Sequence, residues 1–325
     1  MAAAHTRAYR AGEVVATDFA VADVSEWLAQ PDVIVWVDYC QPSAADLHEI
    51  ASELGLHELA VEDALAAGQR PKVDRYPTHL FFSCHAAKVN ATIDGLDESE
   101  VNAFVSERWF ITVRKADGFP LDEVTSRWDR SPDLAALGTS FLLYGLIDAV
   151  VDDYFDTVQA FDEFYDDVSA GIFDEKPLDP DQQRHWFQMR QALVRFHRLA
   201  VPMREAISNL MRRDRNSVPE GLYPYYQDVY DHILRITEST DALRDLVTTI
   251  VETNLSLRDY RQNQIMKKVT SWAGIIAVPT LVTGFYGMNL PFPGFATHRG
   301  FHLALVLMLC LSGGLYVIFR RKDWL

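Results

Sequence analysis

Near the end of the chain an apolar run closes on Tyr286-Gly287-Met288-Asn289, and a second apolar run begins at Phe301. A glycine, a thioether and an uncharged amide at the mouth of an apolar helix offer acceptors without fixed charge. That suits a cation that keeps its water. Mg²⁺ dehydrates reluctantly and retains several waters, so a site for the hydrated ion needs acceptors about one water further out than direct ligands would be. A ring of Asn289 side chains with nearby backbone carbonyls supplies them and still lets the ion leave. Gly287 lets the backbone turn sharply enough to present those carbonyls.

Behind these residues Asn263, Met266, Thr270, Ala273, Ala277, Thr280 and Gly284 recur at steps of three and four. Every member is small, polar or a thioether, while Trp272, Ile275, Ile276, Leu281 and Phe285 occupy the other faces. Such a stripe has two readings: tight packing between membrane helices, or the wall of a pore lined by several copies. It reads as continuing the seam of the preceding helix towards one symmetry axis, and it opens on two amides, Asn263 and Asn289. Both features favour the pore. Two spans per chain cannot enclose a channel alone, so this reading requires oligomerisation.

The elements that must hold the stripe follow from periodicity. Between Pro224 and Gly274 there is neither glycine nor proline. Val229, Ile233, Ile236, Leu243, Val247, Ile250 and Leu257 recur in heptad fashion, with Thr240 and Asn254 in the same register. Some fifty residues at about 1.5 Å each predict a rod of roughly 75 Å that runs straight into the first apolar span. Upstream, Leu143, Ile147, Val150, Val151, Tyr154 and Val158 follow the 3.6 period, with Asp152, Asp156, Glu163 and Asp167 mostly on the other side. Gly171 and Pro177-Leu-Asp-Pro180 break that helix, and a second runs from about Asp181 to Arg213, with a kink expected at Pro202. Earlier still, Val33–Val37, Leu80–Cys84 and the pair Val101–Val105 and Trp109–Val113 read as strands, the last two as a hairpin. Ser43 caps a helix reaching Leu54.

Val269 to Tyr286 and Leu303 to Phe319 carry no charge, and each is near the ~20 residues that a bilayer core demands. Lys267 and Lys268 precede the first run, Arg320, Arg321 and Lys322 follow the second, and the loop between holds only Arg299. The positive-inside rule then puts both termini in the cytoplasm and the loop outside, in the cell membrane. The expected organisation is α+β: a cytosolic α/β domain over 1–140, an acidic helical hairpin over 141–222 and a stalk helix over 223–268. A pore helix over 269–286, an extracytoplasmic loop over 287–300, a second membrane helix over 301–319 and a basic tail over 320–325 complete it.

The 325 residues carry a net charge of -16, with no concentrated basic face to meet phosphates, which argues against nucleic acid as a partner. Cys40, Cys84 and Cys310 form no CxxC pair and are odd in number, so neither a disulfide framework nor a thiolate zinc site is expected. Enzyme readings find little support. Gly68-Gln-Arg-Pro-Lys72 lacks the spacing of a phosphate loop. Asp152 and Asp153 are consecutive and point about 100° apart on a helix, so they read as a solvated or inter-subunit acidic face. The ten histidines are read as giving no helical zinc pair, and His298 as a solvated loop histidine.

At Tyr286-Gly287-Met288-Asn289, with a second span and a tail ending Asp323-Trp324-Leu325, the sequence resembles the CorA family of magnesium channels. Gln69-Arg-Pro-Lys72, Leu142 to Phe155 and Asp228-Val-Tyr-Asp-His232 extend the likeness over most of the chain from about His57. The resemblance implies a homopentamer with a funnel-shaped cytosolic domain, carrying Mg²⁺ and also Co²⁺ and Ni²⁺, with no organic cofactor. It makes Gly287, Met288 and Asn289 the selectivity filter, Thr280 and Asn263 pore-lining, and Met266 part of a hydrophobic gate. Regulatory Mg²⁺ would sit between neighbouring subunits at Asp228. The partner carboxylate falls near Asn90, which is not acidic, so Asp94, Asp97 or Asp74 is expected to serve. Ala277 stands where many relatives have a gate methionine. Two alternatives stand beside this reading: a Zn²⁺ transporter of the same superfamily, towards which His298 leans, and a non-conducting membrane-anchored coiled-coil scaffold.

Overall fold

The β-branched run at Val33 extends further than its sequence pattern, because it pairs on both sides. The computed structural model describes residues 4–90, 92, 95–171, 180–213, 218–288 and 297–325. In chain order the strands are β1 (Ala4–Arg10), β2 (Glu13–Thr17), β3 (Val33–Cys40), β4 (Lys72–Arg75), β5 (Leu80–Val89), β6 (Leu96–Val105) and β7 (Trp109–Arg114). The helices are α1 (Val24–Leu28), α2 (Ala44–Leu54), α3 (Glu58–Leu65), α4 (Asp122–Arg130), α5 (Pro132–Ala135), α6 (Thr139–Gly171), α7 (Pro180–Arg213), α8 (Tyr223–Tyr286) and α9 (His298–Arg321). Two compact units divide inside α8, at Val247 and Thr248.

In the first unit the described strands form one sheet in the order β2-β1-β3-β7-β6-β5-β4. Only the β3–β7 pairing is parallel. The expected hairpin is present as β6 and β7, in register from Val101 opposite Arg114 to Val105 opposite Phe110. One sheet face packs Val35, Val37, Phe81, Phe104, Ile111 and Val113 against Leu47, Ile50, Ala60 and Val61 of α2 and α3. Ser43 caps α2 as expected: its hydroxyl accepts from the Asp46 N–H at 3.2 Å, and Asp46 returns a bond from the Ser43 N–H at 3.0 Å.

The helix α6 is tied to β5 at two backbone carbonyls. Tyr154 donates to the His85 carbonyl at 2.6 Å and Thr157 to the Ala87 carbonyl at 2.7 Å. Gly145 is required on α6 because a Cβ there would run into the Trp128 indole of α4. The expected apolar set is buried from Leu143 to Tyr154, with Val158 half-buried, and Asp156, Glu163 and Asp167 are exposed. Pro202 lies inside α7 without ending it. The segment Pro177 to Asp179 falls outside the described residues.

Sheet polarity is handled by pairing. Asp38 at the end of β3 is 1% exposed and receives two donors from Arg114, the shorter at 2.7 Å, and the Thr112 hydroxyl at 2.7 Å. Trp36 in turn donates to that hydroxyl at 3.1 Å. A buried charge needs such a complete set of partners to be tolerated.

Candidate pore helix and ion-sensing residues

The heptad seam of α8 is where the sequence places it, and its partner is the chain itself. Val229, Ile233, Ile236, Thr240, Leu243, Val247 and Ile250 are all buried, and Asn254 and Leu257 are half-buried. In the first unit this helix is fastened to α6 and α7. Tyr226 donates to the Ser140 carbonyl at 2.8 Å, Arg204 to the Thr237 hydroxyl at 3.1 Å, and His197 meets Asp241 at 3.0 Å.

This corrects the expectation that the small-residue stripe continues the seam. Carried past Leu257 in the same three-and-four steps, the seam arrives at Ser271, Ile275, Val278 and Val282. Those residues are buried or half-buried, on the side where Gly274 meets Phe319 of α9, with ring atoms 3.7 Å from where a Cβ would stand. The stripe is two residues out of step, about 200° around the helix. The phase slips between Leu257 and Asn263, a step of six that the pattern hides. Asn263, Met266, Thr270, Ala273, Ala277, Thr280 and Gly284 are accordingly all exposed in the single chain. An open groove of about 900 Å³ runs along Ala273, Ala277, Thr280 and Gly284 to Met288, flanked by Ile276, Leu281 and Phe285.

On that face Thr280 is the chemically distinct group. Its hydroxyl donates to the Ile276 carbonyl at 3.0 Å, so its oxygen lone pairs are left for the exposed side. Thr283 spends its proton similarly, on the Pro279 carbonyl at 2.9 Å. Gly287 follows the helix end, its N–H bonded to the Thr283 carbonyl at 2.9 Å. A Cβ at Gly287 would lie 2.9 Å from that same oxygen, closer than packing permits. Met288 is exposed beside it. Asn289 lies outside the described residues.

The expected sensor residues are spread over separate elements. Asp228 stands on α8 with its side chain 65% exposed, 3.8 Å from His232 Nε2. Asn90 follows β5, its amide oxygen accepting from Thr92 at 3.1 Å. Asp97 is exposed on β6 opposite Lys88, and Asp74 is held by Lys72 at 2.8 Å. Asp94 lies outside the described residues. Among the described residues no group of three or more His, Cys, Asp or Glu side chains is placed to hold a metal.

Close by lie Asp148, which the sequence reading passed over, and Asp152, which it read only as part of an acidic face. Asp148 and Asp152 of α6 both grip Arg127, at 2.7 and 2.8 Å, with Glu123 a third partner at 3.1 Å. Burial first, and then Asp152, raise the Asp148 carboxyl above its usual range against the pull of Arg127. Burial, Asp148 and Asp228 together raise the Tyr144 phenol. The i,i+4 spacing of Asp148 and Asp152 on one helix face was the available signal.

The second helix begins earlier than its apolar run. Thr297 caps α9, its hydroxyl accepting from the Gly300 N–H at 3.2 Å, so His298 is the first helical residue and not a loop residue. His302 follows four residues later, and both are exposed. The reading that the histidines offer no helical pair therefore fails at this position. A threonine at an N-cap was the signal that would have found it.

An α/β sheet unit is followed by two helices long and apolar enough to cross a membrane, α8 and α9. The sequence pattern of the family described as "CorA-like Mg2+ transporter protein" matches residues 31–321, and the chain belongs to that family. It is a family of transporters, not of enzymes, and Mg²⁺ is its transported ion. Among curated relatives, the cobalt/magnesium transport protein CorA of Thermotoga maritima is 28% identical over 294 residues, covering 89% of this chain and 83% of that protein. The complete structure of the CorA magnesium transporter from Methanocaldococcus jannaschii superposes with a TM-score of 0.79 at 19% identity, covering 100% of this chain and 99% of the other. The cytoplasmic domain of ZntB from Vibrio parahaemolyticus superposes at 0.61 and 14% identity, covering 79% and 98%. Both likenesses establish the fold, which is the expected one.

Proposed function

We propose that several copies of this chain, five by the family resemblance, surround a water-filled path lined by the Thr280 face of α8. Divalent cations, Mg²⁺ first and Co²⁺ or Ni²⁺ after it, pass along that path with their water. The observation that carries this is the exposure of the whole stripe from Asn263 to Gly284 on the side of α8 turned away from α9. A scaffold helix would show large apolar residues there. Instead Ala273, Ala277 and Gly284 leave room, and Thr280 offers acceptor lone pairs to a hydrated ion.

Gly287, Met288 and Asn289 form the outer filter, an amide ring that holds the ion through its hydration shell. Lysines 267 and 268 and the Arg320-Arg321-Lys322 tail support an orientation with both termini in the cytoplasm. The membrane potential supplies the drive. Each elementary charge gains about 2.3 kcal/mol per 100 mV, and a divalent ion about twice that. Regulatory Mg²⁺ binds between neighbouring copies at Asp228, with Asp97 or Asp94 of the next copy as the acid partner, and holds the path shut when the cytosol is replete.

Flux in proteoliposomes tests the reading. Mg²⁺ should enter without a proton gradient and faster than Zn²⁺, and Asn289→Ala should abolish entry while the assembled protein still elutes as wild type. Wild-type flux in that variant removes the filter assignment, and preferred Zn²⁺ entry replaces Mg²⁺ as cargo. Asp228→Ala should weaken the protection that Mg²⁺ gives the cytosolic unit against protease. Unchanged protection removes Asp228 from the sensor.

A further inference from the structure

The first turn of α9 brings two imidazoles onto one helix face. His298 opens the helix after its Thr297 cap, His302 follows at i+4, and both are exposed while Gly300 between them is buried. Residues four apart on a helix have Cβ atoms about 5–6 Å apart. That is the span from which two histidines can close on one metal ion, the spacing used in helical zinc sites. Phe301 stands against His302, ring centroids 5.7 Å apart, and restricts where that imidazole can swing.

We propose that His298 and His302 form a two-ligand site for a divalent transition ion, Zn²⁺, Ni²⁺ or Co²⁺, which Mg²⁺ does not occupy. The selectivity follows from ligand chemistry. Imidazole nitrogen suits zinc, nickel and their neighbours, whereas Mg²⁺ takes oxygen ligands in a water-rich octahedron. Two features oppose the site: the positive end of the helix dipole, and the Arg299 cation between the ligands. Both act alike on every divalent ion, so they weaken binding without reordering the preference. With two protein ligands the remaining positions stay with water, and exchange is quick. A bound ion adds positive charge at the end of the loop that leads from the filter. Occupancy therefore slows Mg²⁺ entry. Only this last consequence rests on the proposed transport function.

The test uses the full-length protein in lipid nanodiscs, titrated calorimetrically with Zn²⁺ alone. Wild type should bind one zinc per chain more than the H298Q–H302Q double variant. Each single variant should lose that equivalent almost as fully, because closure needs both rings. Glutamine is a good helix former, so α9 is kept. Unchanged stoichiometry in the double variant overturns the site. Loss of only about half of that equivalent in each single variant overturns the chelate. In proteoliposomes, Zn²⁺ on the loop side should inhibit Mg²⁺ flux at least tenfold less potently in the double variant, with flux in the absence of zinc unchanged. Equal potency overturns the coupling. A protein that moves no Mg²⁺ yet loses the zinc equivalent on mutation leaves the site standing and removes the transport reading instead.

Discussion

One helix, α8, obeys two different rules along its length. From Val229 to Val247 its large aliphatic residues are buried or half-buried and its exposed positions are mostly polar or charged, as at Asp231 and Arg235. From Val269 onward large residues are exposed as well: Trp272, Ile276, Leu281 and Phe285 are each more than half exposed. The small residues stand exposed beside them. In the first stretch the chain completes itself, since α6 and α7 supply the apolar cover and the hydrogen-bond partners. In the second, a single chain leaves two kinds of exposed surface, one bulky and one small. Water satisfies neither. Lipid suits the bulky surface and, on the proposed function, further copies of the chain suit the small one.

Truncation on each side of that boundary should break different properties. Ile236 is 1% exposed on the seam, and Ile236→Ala should cost the first unit about 2–5 kcal/mol, read as a drop in the denaturant midpoint of the full-length protein. A cost near zero would mean that the seam is not the chain's own core. Ala277→Leu should do the reverse. It fills the groove without touching a buried residue, so unfolding should be unchanged while Mg²⁺ flux falls roughly tenfold, about 1.4 kcal/mol in the barrier. Undiminished flux would mean that this face does not line the path.

The same boundary explains what could be read from sequence. β3, β5 and the β6–β7 hairpin are apolar runs with clear breaks, and Ser43 with Asp46 announces α2. β2 is mostly exposed at the sheet edge, so no alternation marks it. β4 is four residues held largely by charge, with Lys72 bridging Asp63 and Asp74 at 2.7 and 2.8 Å. The seam of α8 was legible because burial imposes period. Past Leu257 the stripe was legible as composition, but its phase was not, because no core fixes the register there. At α9 the eye follows hydropathy to Phe301 and passes the capping threonine, and with it the histidine pair.

The first unit should also carry a pH response that its internal packing creates. His79 is 5% exposed, tilted against Phe104 and Trp109 and stacked on Tyr76, with Nδ1 2.9 Å from the Thr78 hydroxyl. Burial, with a smaller push from His57, lowers its pKa to about 4. In the unfolded chain the ring titrates near 6.5. Above that value both states hold it neutral and the packing contributes in full. As pH falls below 6.5 the unfolded chain takes up a proton that the folded chain refuses until about 4, so stability declines by up to about 1.4 kcal/mol per pH unit. His79→Phe keeps the ring stack and removes the titration. Between pH 6.5 and 5, where most carboxylates are still ionised, wild type should lose stability faster than the variant, and parallel slopes would show that His79 is protonated in place.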